Sequence, residues 1–349
     1  MKNNGHRKED VFKELYINNS SYRRAKEYSQ KIGEEIVQKL CEKFDYSIID
    51  DAKIIEIEEL LNNIYYDLYY KIYDSYDLFF EKINELIDNK SILEPFLILF
   101  KLLMLVNANK SVNILYKENI DLYNNIKPFK KYFQNGFIEI FDVLSLFFEE
   151  SLDECQWNHD FNNALAYQIL GSKNYKSKKY IECIFYSYKS LDILIEDCNY
   201  KRAIQVNQMI ISSLLNIGNY EETLALTTKQ IKVIKSLSIF DSYYKNAMNC
   251  YYISLLGLKK YEEILKDLNE SNINNFITLT CYLVALYKTN ENEYFRYYSE
   301  ELDVNSYDEV YQKYFISLNK YLIENDKKIL KELQIPDLHT AFSKIFKNI

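Results

Sequence analysis

The chain has 349 residues, of which 48% are hydrophobic and 27% are charged, and its formal net charge is -8. This composition is typical of a globular protein with a buried core, and the acidic balance excludes a protein whose whole surface binds polyanions. Only six glycines and three prolines occur, which favours long helices over β-sheet and predicts an all-α fold.

The six cysteines stand at positions 41, 155, 183, 198, 250 and 281, and none forms a C-x-x-C pair. Scattered cysteines are typical of reduced thiols, so we expect a cytoplasmic location. The first residues, MKNNGHRKEDVF, contain no apolar run of the kind that a secretory signal requires.

Basic residues are concentrated at the amino-terminal end of the chain. Residues 1–31 hold eight lysines and arginines against four acids, so this segment carries +4 and the remainder carries -12. Three of the five arginines, Arg7, Arg23 and Arg24, lie in this segment. A basic head on an acidic body indicates that the head meets an anion and that the body has a different task.

Three helices are predicted in the head, at about Asp10–Tyr16, Tyr22–Ser29 and Glu34–Phe44. The segment INNSS separates the first helix from the second, and Ser20 or Ser21 can cap the second helix. A helix, a short turn and a second helix with basic residues form a helix-turn-helix pattern, which is a common DNA-binding unit.

The pattern resembles the second and third helices of phage-repressor-like DNA-binding domains, although the first helix of that family is missing here or reduced to residues 1–9. The resemblance implies that residues 1–45 are a DNA-binding head and that five side chains face DNA, namely Ser20, Ser21, Arg23, Arg24 and Lys26. Arginine suits this task because its guanidinium can read guanine and clamp phosphate. The alternative interpretation is a solvated basic face on a short helix.

The most apolar run is FLILFKLLMLV, at Phe96–Val106, and it contains Lys101. The run is too short to span a bilayer, which takes about 20 apolar residues, so it predicts a buried helix and no membrane contact.

Enzyme motifs are lacking: His6, His159 and His339 lie far apart, and CQWNHD (Cys155–Asp160) offers one C-x-x-x-H pair without a second. We expect no catalysis, no metal and no cofactor.

Three segments of the second half repeat one pattern, in which a short polar turn precedes a tyrosine, one or two glutamates and an amphipathic helix. The tyrosines are Tyr180, Tyr220 and Tyr261, spaced 40 and 41 residues apart. The turn residue Gly218 and the small Thr223 and Thr227 stand in the middle segment, GNYEETLALTTKQI. Upstream of Tyr180, an aromatic, a leucine and a glycine stand at Tyr167, Leu170 and Gly171.

These segments resemble tetratricopeptide repeats, at about 164–198, 203–237 and 244–269, with helices longer than that family's average. The resemblance implies that residues 46–349 form a right-handed superhelix of helical hairpins, with a concave surface lined by the first helix of each hairpin.

Carboxamides recur on the predicted inner surface. Twelve residues before each tyrosine stand Gln168, Gln208 and Asn249, and Gln205 and Asn246 lie beside them. Each carboxamide offers a donor and an acceptor, which matches the backbone of an extended peptide, so the five residues are predicted to bind peptide. The alternative interpretation is that they face water, because asparagine and glutamine are common in this chain.

A helix-turn-helix head followed by long tetratricopeptide-like repeats resembles the peptide-pheromone receptors of Firmicutes and their phages, which include PlcR-type and PrgX-type regulators and the arbitrium receptor. The resemblance implies a homodimeric quorum-sensing transcription regulator that binds DNA and a short signal peptide. The alternative is a tetratricopeptide-like scaffold that binds or inhibits a partner protein and does not bind DNA.

Overall fold

The structure is a computed structural model of the chain. The residues that it describes are 34–44, 51–70, 81–85, 94–107, 112–133, 136–149, 163–237, 241–268, 273, 275–291 and 309–324. Within these ranges the regular structure is helical throughout, and no β-strand occurs among them. The predicted all-α fold is confirmed.

The chain divides into two compact units, Met1–Phe161 and Asn162–Ile349, here termed the N-terminal unit and the C-terminal unit. In the N-terminal unit the described helices are α1 (Glu34–Phe44), α2 (Asp51–Tyr70), α3 (Glu94–Asn107), α4 (Val112–Ile126), a 3-10 helix (Lys127–Tyr132) and α5 (Gly136–Phe148). Helix α1 confirms the predicted third helix of the head, while the predicted boundary after residue 45 stays a prediction.

In the C-terminal unit the described helices are α6 (Ala164–Lys176), α7 (Tyr180–Glu196), α8 (Tyr200–Ile217), α9 (Tyr220–Leu237), α10 (Asp241–Gly257), α11 (Tyr261–Asp267), α12 (Phe276–Lys288) and α13 (Glu309–Glu324).

Helix α3 lies at the centre of the N-terminal unit's core and confirms the predicted buried helix. Leu97, Leu99 and Leu102 are fully buried in a cluster that also contains side chains of α4 and α5. Lys101, the one charge in the run, donates from Nζ to Asn84 Oδ1 at 2.6 Å. Within the described ranges, no helix combines the length and the apolar character that crossing a bilayer requires.

The Tyr123 ring anchors α4 to α5. It stacks on Phe141 and Phe148, with ring centroids 5.7 and 5.1 Å apart. Its hydroxyl donates to Glu149 Oε1 at 2.8 Å, and Lys127 Nζ lies 2.7 Å from the same oxygen. The buried ring therefore keeps its polar end satisfied, as a buried tyrosine requires.

The repeat pattern is confirmed in the C-terminal unit, because α7, α9 and α11 begin at Tyr180, Tyr220 and Tyr261. Helices α6, α8 and α10 are the first helices of three hairpins, and α7, α9 and α11 are the second helices. Each first helix contacts the first helix of the next hairpin, since α6 contacts α8, α8 contacts α10 and α10 contacts α12. This is the neighbour-to-neighbour packing of a helical repeat.

The predicted turn at Gly218 has a left-handed backbone, with φ of 88°. The amide of Asn219 donates to the Leu214 carbonyl at 3.0 Å, and that of Gly218 donates to the Leu215 carbonyl at 3.1 Å. The same pair of bonds closes the helices before Lys178, Cys198 and Lys259, whose φ values are also positive. One tight turn geometry therefore recurs between helices, with glycine at one place and lysine or cysteine at the others.

Small residues let neighbouring helices approach closely. Thr223 and Thr227 are fully buried on α9, as their place in the repeat predicts. At Gly257, a Cβ atom would lie 2.6 Å from the Tyr220 ring, so this ring packs directly against the backbone of α10. The tyrosine that begins a second helix is thus a contact with the next hairpin.

We predict that Gly218→Ala lowers the free energy of unfolding of the C-terminal unit by about 1 kcal/mol, because a left-handed backbone disfavours a side chain. Among the described residues, no atom outside the neighbouring backbone lies within 4 Å of the new Cβ, so no steric clash adds to this cost. Urea unfolding followed by circular dichroism measures the change.

The reciprocal change at the matched turn, Lys259→Gly, is the control, and we expect it to raise stability by about 0.5 kcal/mol. Destabilisation by both substitutions would contradict the account of the turns.

Candidate functional site

The predicted peptide-binding residues lie on α6, α8 and α10, the first helices of three consecutive hairpins. We call Gln168, Gln208 and Asn249 the carboxamide row, since they occupy equivalent positions. All three are partly buried, as is Gln205, whereas Asn246 is exposed. Because the three helices contact one another in order, the row crosses two interfaces between hairpins.

The first member of the row is tied to the next hairpin. Gln168 Oε1 on α6 accepts a hydrogen bond from Nη1 of Arg202 on α8 at 3.1 Å. Arg202 is buried, with 4% of its surface exposed. A buried guanidinium costs much free energy unless its donors are bonded, so Gln168 helps to satisfy a charge within the α6–α8 interface.

The second member belongs to a chain of hydrogen bonds across three helices. Gln208 Oε1 on α8 accepts from Gln230 Nε2 on α9 at 2.9 Å, and Gln208 Nε2 donates to Cys250 Sγ on α10 at 3.3 Å. Gln230 Oε1 in turn accepts from Asn207 Nδ2. We call Asn207, Gln208 and Gln230 the carboxamide network. Both ends of the Gln208 amide are used within the protein.

The thiol at the end of this chain is neutral. Burial raises the pKa of Cys250 to about 11, although hydrogen bonds from Gln208 and Ser212 lower it in part. A thiol with this pKa remains protonated at neutral pH and is inert as a nucleophile, so Cys250 serves as a hydrogen-bond partner and a packing group.

Gln205 also bridges two first helices, because its Nε2 donates to the hydroxyl of Tyr243 on α10. Asn246, one turn from Tyr243 on the same helix, presents its side chain to solvent. Three of the five predicted residues, Gln168, Gln205 and Gln208, therefore bond across interfaces between hairpins, and Asn246 lies on the surface.

Asn249, the third member of the row, differs from the other two. Its Oδ1 is buried, yet within the described part of the chain it accepts no hydrogen bond. The next first helix, α12, buries Phe276, Leu279 and Leu283 and supplies no equivalent of Arg202. A buried acceptor without a donor costs about 1–3 kcal/mol, so a hydrogen-bond donor that reached Asn249 Oδ1 would stabilise the protein.

Sequence reasoning missed Arg202 and Gln230, which bond to members of the row, and Tyr243, which bonds to Gln205. A signal for Gln230 was present, because it falls on the face of α9 that buries Thr223, Thr227 and Ile234 at helical spacing. A glutamine on a buried face requires polar partners on the facing helix. Tyr243 had no such signal, because tyrosines are abundant throughout the sequence.

The predicted DNA-contacting residues, Ser20, Ser21, Arg23, Arg24 and Lys26, lie outside the described residues. Comparison of the chain with protein-family models, curated proteins and solved structures gives no match. The roles of the head and of the carboxamide row in binding therefore stay predictions.

We predict opposite effects of two substitutions that each remove a carboxamide. Asn249→Leu raises the free energy of unfolding by about 1 kcal/mol, because it removes a buried acceptor that has no donor. Gln230→Leu lowers it by about 2 kcal/mol, because it leaves Asn207 and Gln208 without their shared partner.

Urea unfolding of the two variants and of the wild type under one condition makes the comparison. Equal destabilisation by both substitutions would show that the Asn249 acceptor is satisfied in solution.

Proposed function

We propose that this chain is a peptide-responsive DNA-binding transcription regulator of the quorum-sensing type, in which the carboxamide row binds a short signal peptide. The observation that carries the proposal is the Asn249 Oδ1 atom, a buried acceptor that takes no hydrogen bond from the described residues and ends a row of equivalent carboxamides. An extended peptide presents backbone N–H groups at regular intervals, and one of them can supply the missing donor.

The chemistry of the row fits a peptide backbone better than a charged small molecule. The members Gln168, Gln208 and Asn249 are neutral and offer both donors and acceptors, as a peptide bond does. Arg202 lies beside the first member and is a cation at every physiological pH. A peptide that displaces Gln168 and places its terminal carboxylate near Arg202 gains charge-assisted hydrogen bonds in addition to backbone contacts.

The carboxamide network links peptide binding to helix arrangement. A peptide that takes one hydrogen bond from Gln208 releases either Gln230 or Cys250, which hold α8 to α9 and α10 respectively. The spacing of neighbouring first helices then changes, and with it the curvature of the repeats. The peptide shifts the equilibrium only by the difference between its affinities for the two arrangements.

In this proposal, the head is the part of the chain that binds DNA. Residues 1–31 carry +4 in a chain of net charge -8, so phosphate attracts the head and repels the rest of the chain. Arg23 and Arg24 stand side by side at the predicted beginning of the second helix. Such a pair combines base contacts with phosphate contacts, and its affinity falls as salt rises.

A second candidate is a scaffold that binds a partner protein and does not bind DNA. The observation that favours it is that Gln168, Gln205 and Gln208 are already hydrogen-bonded to neighbouring helices. On this account the carboxamides hold the hairpins in register, and recognition takes place on another surface. The two candidates differ in what happens when the head is mutated.

We predict that the purified chain binds DNA from its own promoter region with an affinity that falls with salt. Arg23→Ala/Arg24→Ala reduces the slope of log affinity against log salt by about 2, because two phosphate contacts are lost. Fluorescence anisotropy of labelled DNA across a salt titration measures both effects.

The matched control for the DNA experiment is Lys229→Ala/Lys232→Ala, which removes two exposed cations from α9 and leaves the head intact. We expect this variant to bind DNA as the wild type does. A folded protein that binds no DNA at low salt would favour the scaffold.

We predict that peptides selected from a random library of short synthetic peptides bind the wild type and bind Asn249→Leu about tenfold more weakly, which is the loss of one hydrogen bond. Since the same substitution is expected to stabilise the fold, weaker binding cannot be attributed to unfolding. Asn124→Leu, at an exposed asparagine of α4, is the control.

Isothermal titration calorimetry measures the affinities of the three proteins. If Asn249→Leu and Asn124→Leu retain the affinity of the wild type, the peptide does not bind at the carboxamide row.

A further inference from the structure

Helix α7 exposes four large apolar residues, whereas three of the four residues that it buries are small. The exposed fractions are 64% for Ile181, 54% for Phe185, 37% for Tyr188 and 52% for Ile195, and we call these four residues the α7 stripe. The residues that α7 buries are Cys183, Ser187, Ser190 and Leu194. An ordinary surface helix has the opposite arrangement, with large apolar side chains toward the core.

The stripe lies on one face of the helix, since spacings of four, three and seven residues bring side chains to the same side. The second helix of the next hairpin, α9, provides a comparison. At the positions equivalent to Ile181 and Ile195 it exposes Glu221 and Lys235, although Val233 and Leu237 are exposed elsewhere on it. The α7 stripe is therefore a property of one hairpin and not of the repeat.

The charges at the two ends of α7 have the opposite order to the one that a helix dipole favours. Lys176, Lys178 and Lys179 precede the helix, and only Glu182 opposes them in its first turn. Two acids, Glu196 and Asp197, lie at its end, and Asp192 lies one turn earlier on the face of the stripe, between Tyr188 and Ile195. A helix dipole favours acids at the beginning and bases at the end, so α7 itself does not account for this distribution.

We propose that two copies of this chain associate through an antiparallel contact of α7 with α7, about a two-fold axis that passes near Tyr188. Ile181 and Ile195 stand seven residues on either side of Tyr188. The two-fold axis therefore brings Ile181 of one copy against the partner's Ile195, and the two Tyr188 side chains meet at the centre. A two-fold contact of this kind requires a surface that is complementary to itself, and the stripe meets this requirement.

The same axis pairs the charges. The basic beginning of α7 lies beside the acidic end of the partner's α7, and the symmetry repeats this contact at the other end. Lys178 stands in the turn two residues before α7 begins, and Glu196 is the last residue of α7, so the two lie at opposite ends of the stripe. In the antiparallel pair, Lys178 of one copy lies within reach of the partner's Glu196, and the opposed helix dipoles also attract each other.

The area is sufficient for a dimer. Four large side chains, each exposed by more than a third, contribute on the order of 100 Å² each, or roughly 400 Å² per copy before the flanking residues are added. A specific interface needs about 1,000 Å² in total. Lys189 covers one edge of the stripe, with its Nζ 4.8 Å from the Phe185 ring centroid.

The charge pattern favours a second copy over an unrelated partner. A basic or acidic partner helix would match one end of α7 and be repelled by the other, whereas an antiparallel copy matches both ends. The inference does not rest on the proposed function, because the contact involves neither the carboxamide row nor the head. Its test is made without peptide and without DNA.

Sedimentation velocity of the full chain over about a hundredfold range of concentration tests the proposal. We expect the wild type to form dimers and Phe185→Asp to weaken the dimer at least tenfold, because it places a charge in the centre of the stripe. Val233→Asp is the matched control, since Val233 is an exposed apolar residue of α9, and we expect it to leave the dimer unchanged. Circular dichroism confirms that the variants are folded.

A charge reversal tests the antiparallel orientation. Lys178→Glu and Glu196→Lys each weaken the dimer about tenfold, because each places like charges together at both ends of the contact, and the double variant restores it. A wild type that stays monomeric at every concentration overturns the proposal, and so does a dimer that tolerates Phe185→Asp. Failure of the double variant to restore the dimer overturns the antiparallel arrangement.

Discussion

The C-terminal unit depends on the fact that a single hairpin of amphipathic helices cannot bury all of its apolar surface. Helix α8 illustrates the solution, because it contacts its own second helix, α9, and also α6, α7 and α10. Close approach is possible where small residues meet aromatic ones, as at Gly257 and Tyr220. The carboxamide network lies in such interfaces, and the α7 stripe lies on a face that the interfaces leave uncovered.

Polar side chains inside these interfaces determine how firmly neighbouring hairpins are joined. Gln208 and Gln230 satisfy each other across α8 and α9, and a satisfied network specifies one arrangement of its helices. At Asn249 the same position in the repeat has a buried Oδ1 that accepts no hydrogen bond from the residues the structure describes. A repeat unit thus keeps its backbone geometry while its polar chemistry changes along the array. This difference makes the last interface the one most readily altered by an added hydrogen-bond donor.

The sequence predicted the beginnings of the second helices because the signal is local: a turn, an aromatic and acids recur before Tyr180, Tyr220 and Tyr261. It placed the end of the third repeat at about residue 269, close to the end of α11 at Asp267, but α11 has only seven residues, although the pattern predicts helices longer than average. It predicted which carboxamides share a face but not their partners, since an amide's partner depends on how neighbouring helices meet. Apolar residues occur on all sides of α7 itself, so the spacing of apolar residues in the sequence could not identify which face of this helix is buried.

The first member of the carboxamide row and the α7 stripe belong to the same hairpin at one end of the described repeats, because Gln168 is on α6 and the stripe is on α7. Helix α7 contacts both α6 and α8, and the Gln168–Arg202 bond joins α6 to α8. A peptide that breaks this bond changes the two helices against which α7 packs. If dimerisation favours one of these arrangements, it must change peptide affinity by the same factor by which the peptide changes dimer affinity. The two proposed contacts would then be linked through three packed helices, without any direct contact between peptide and partner.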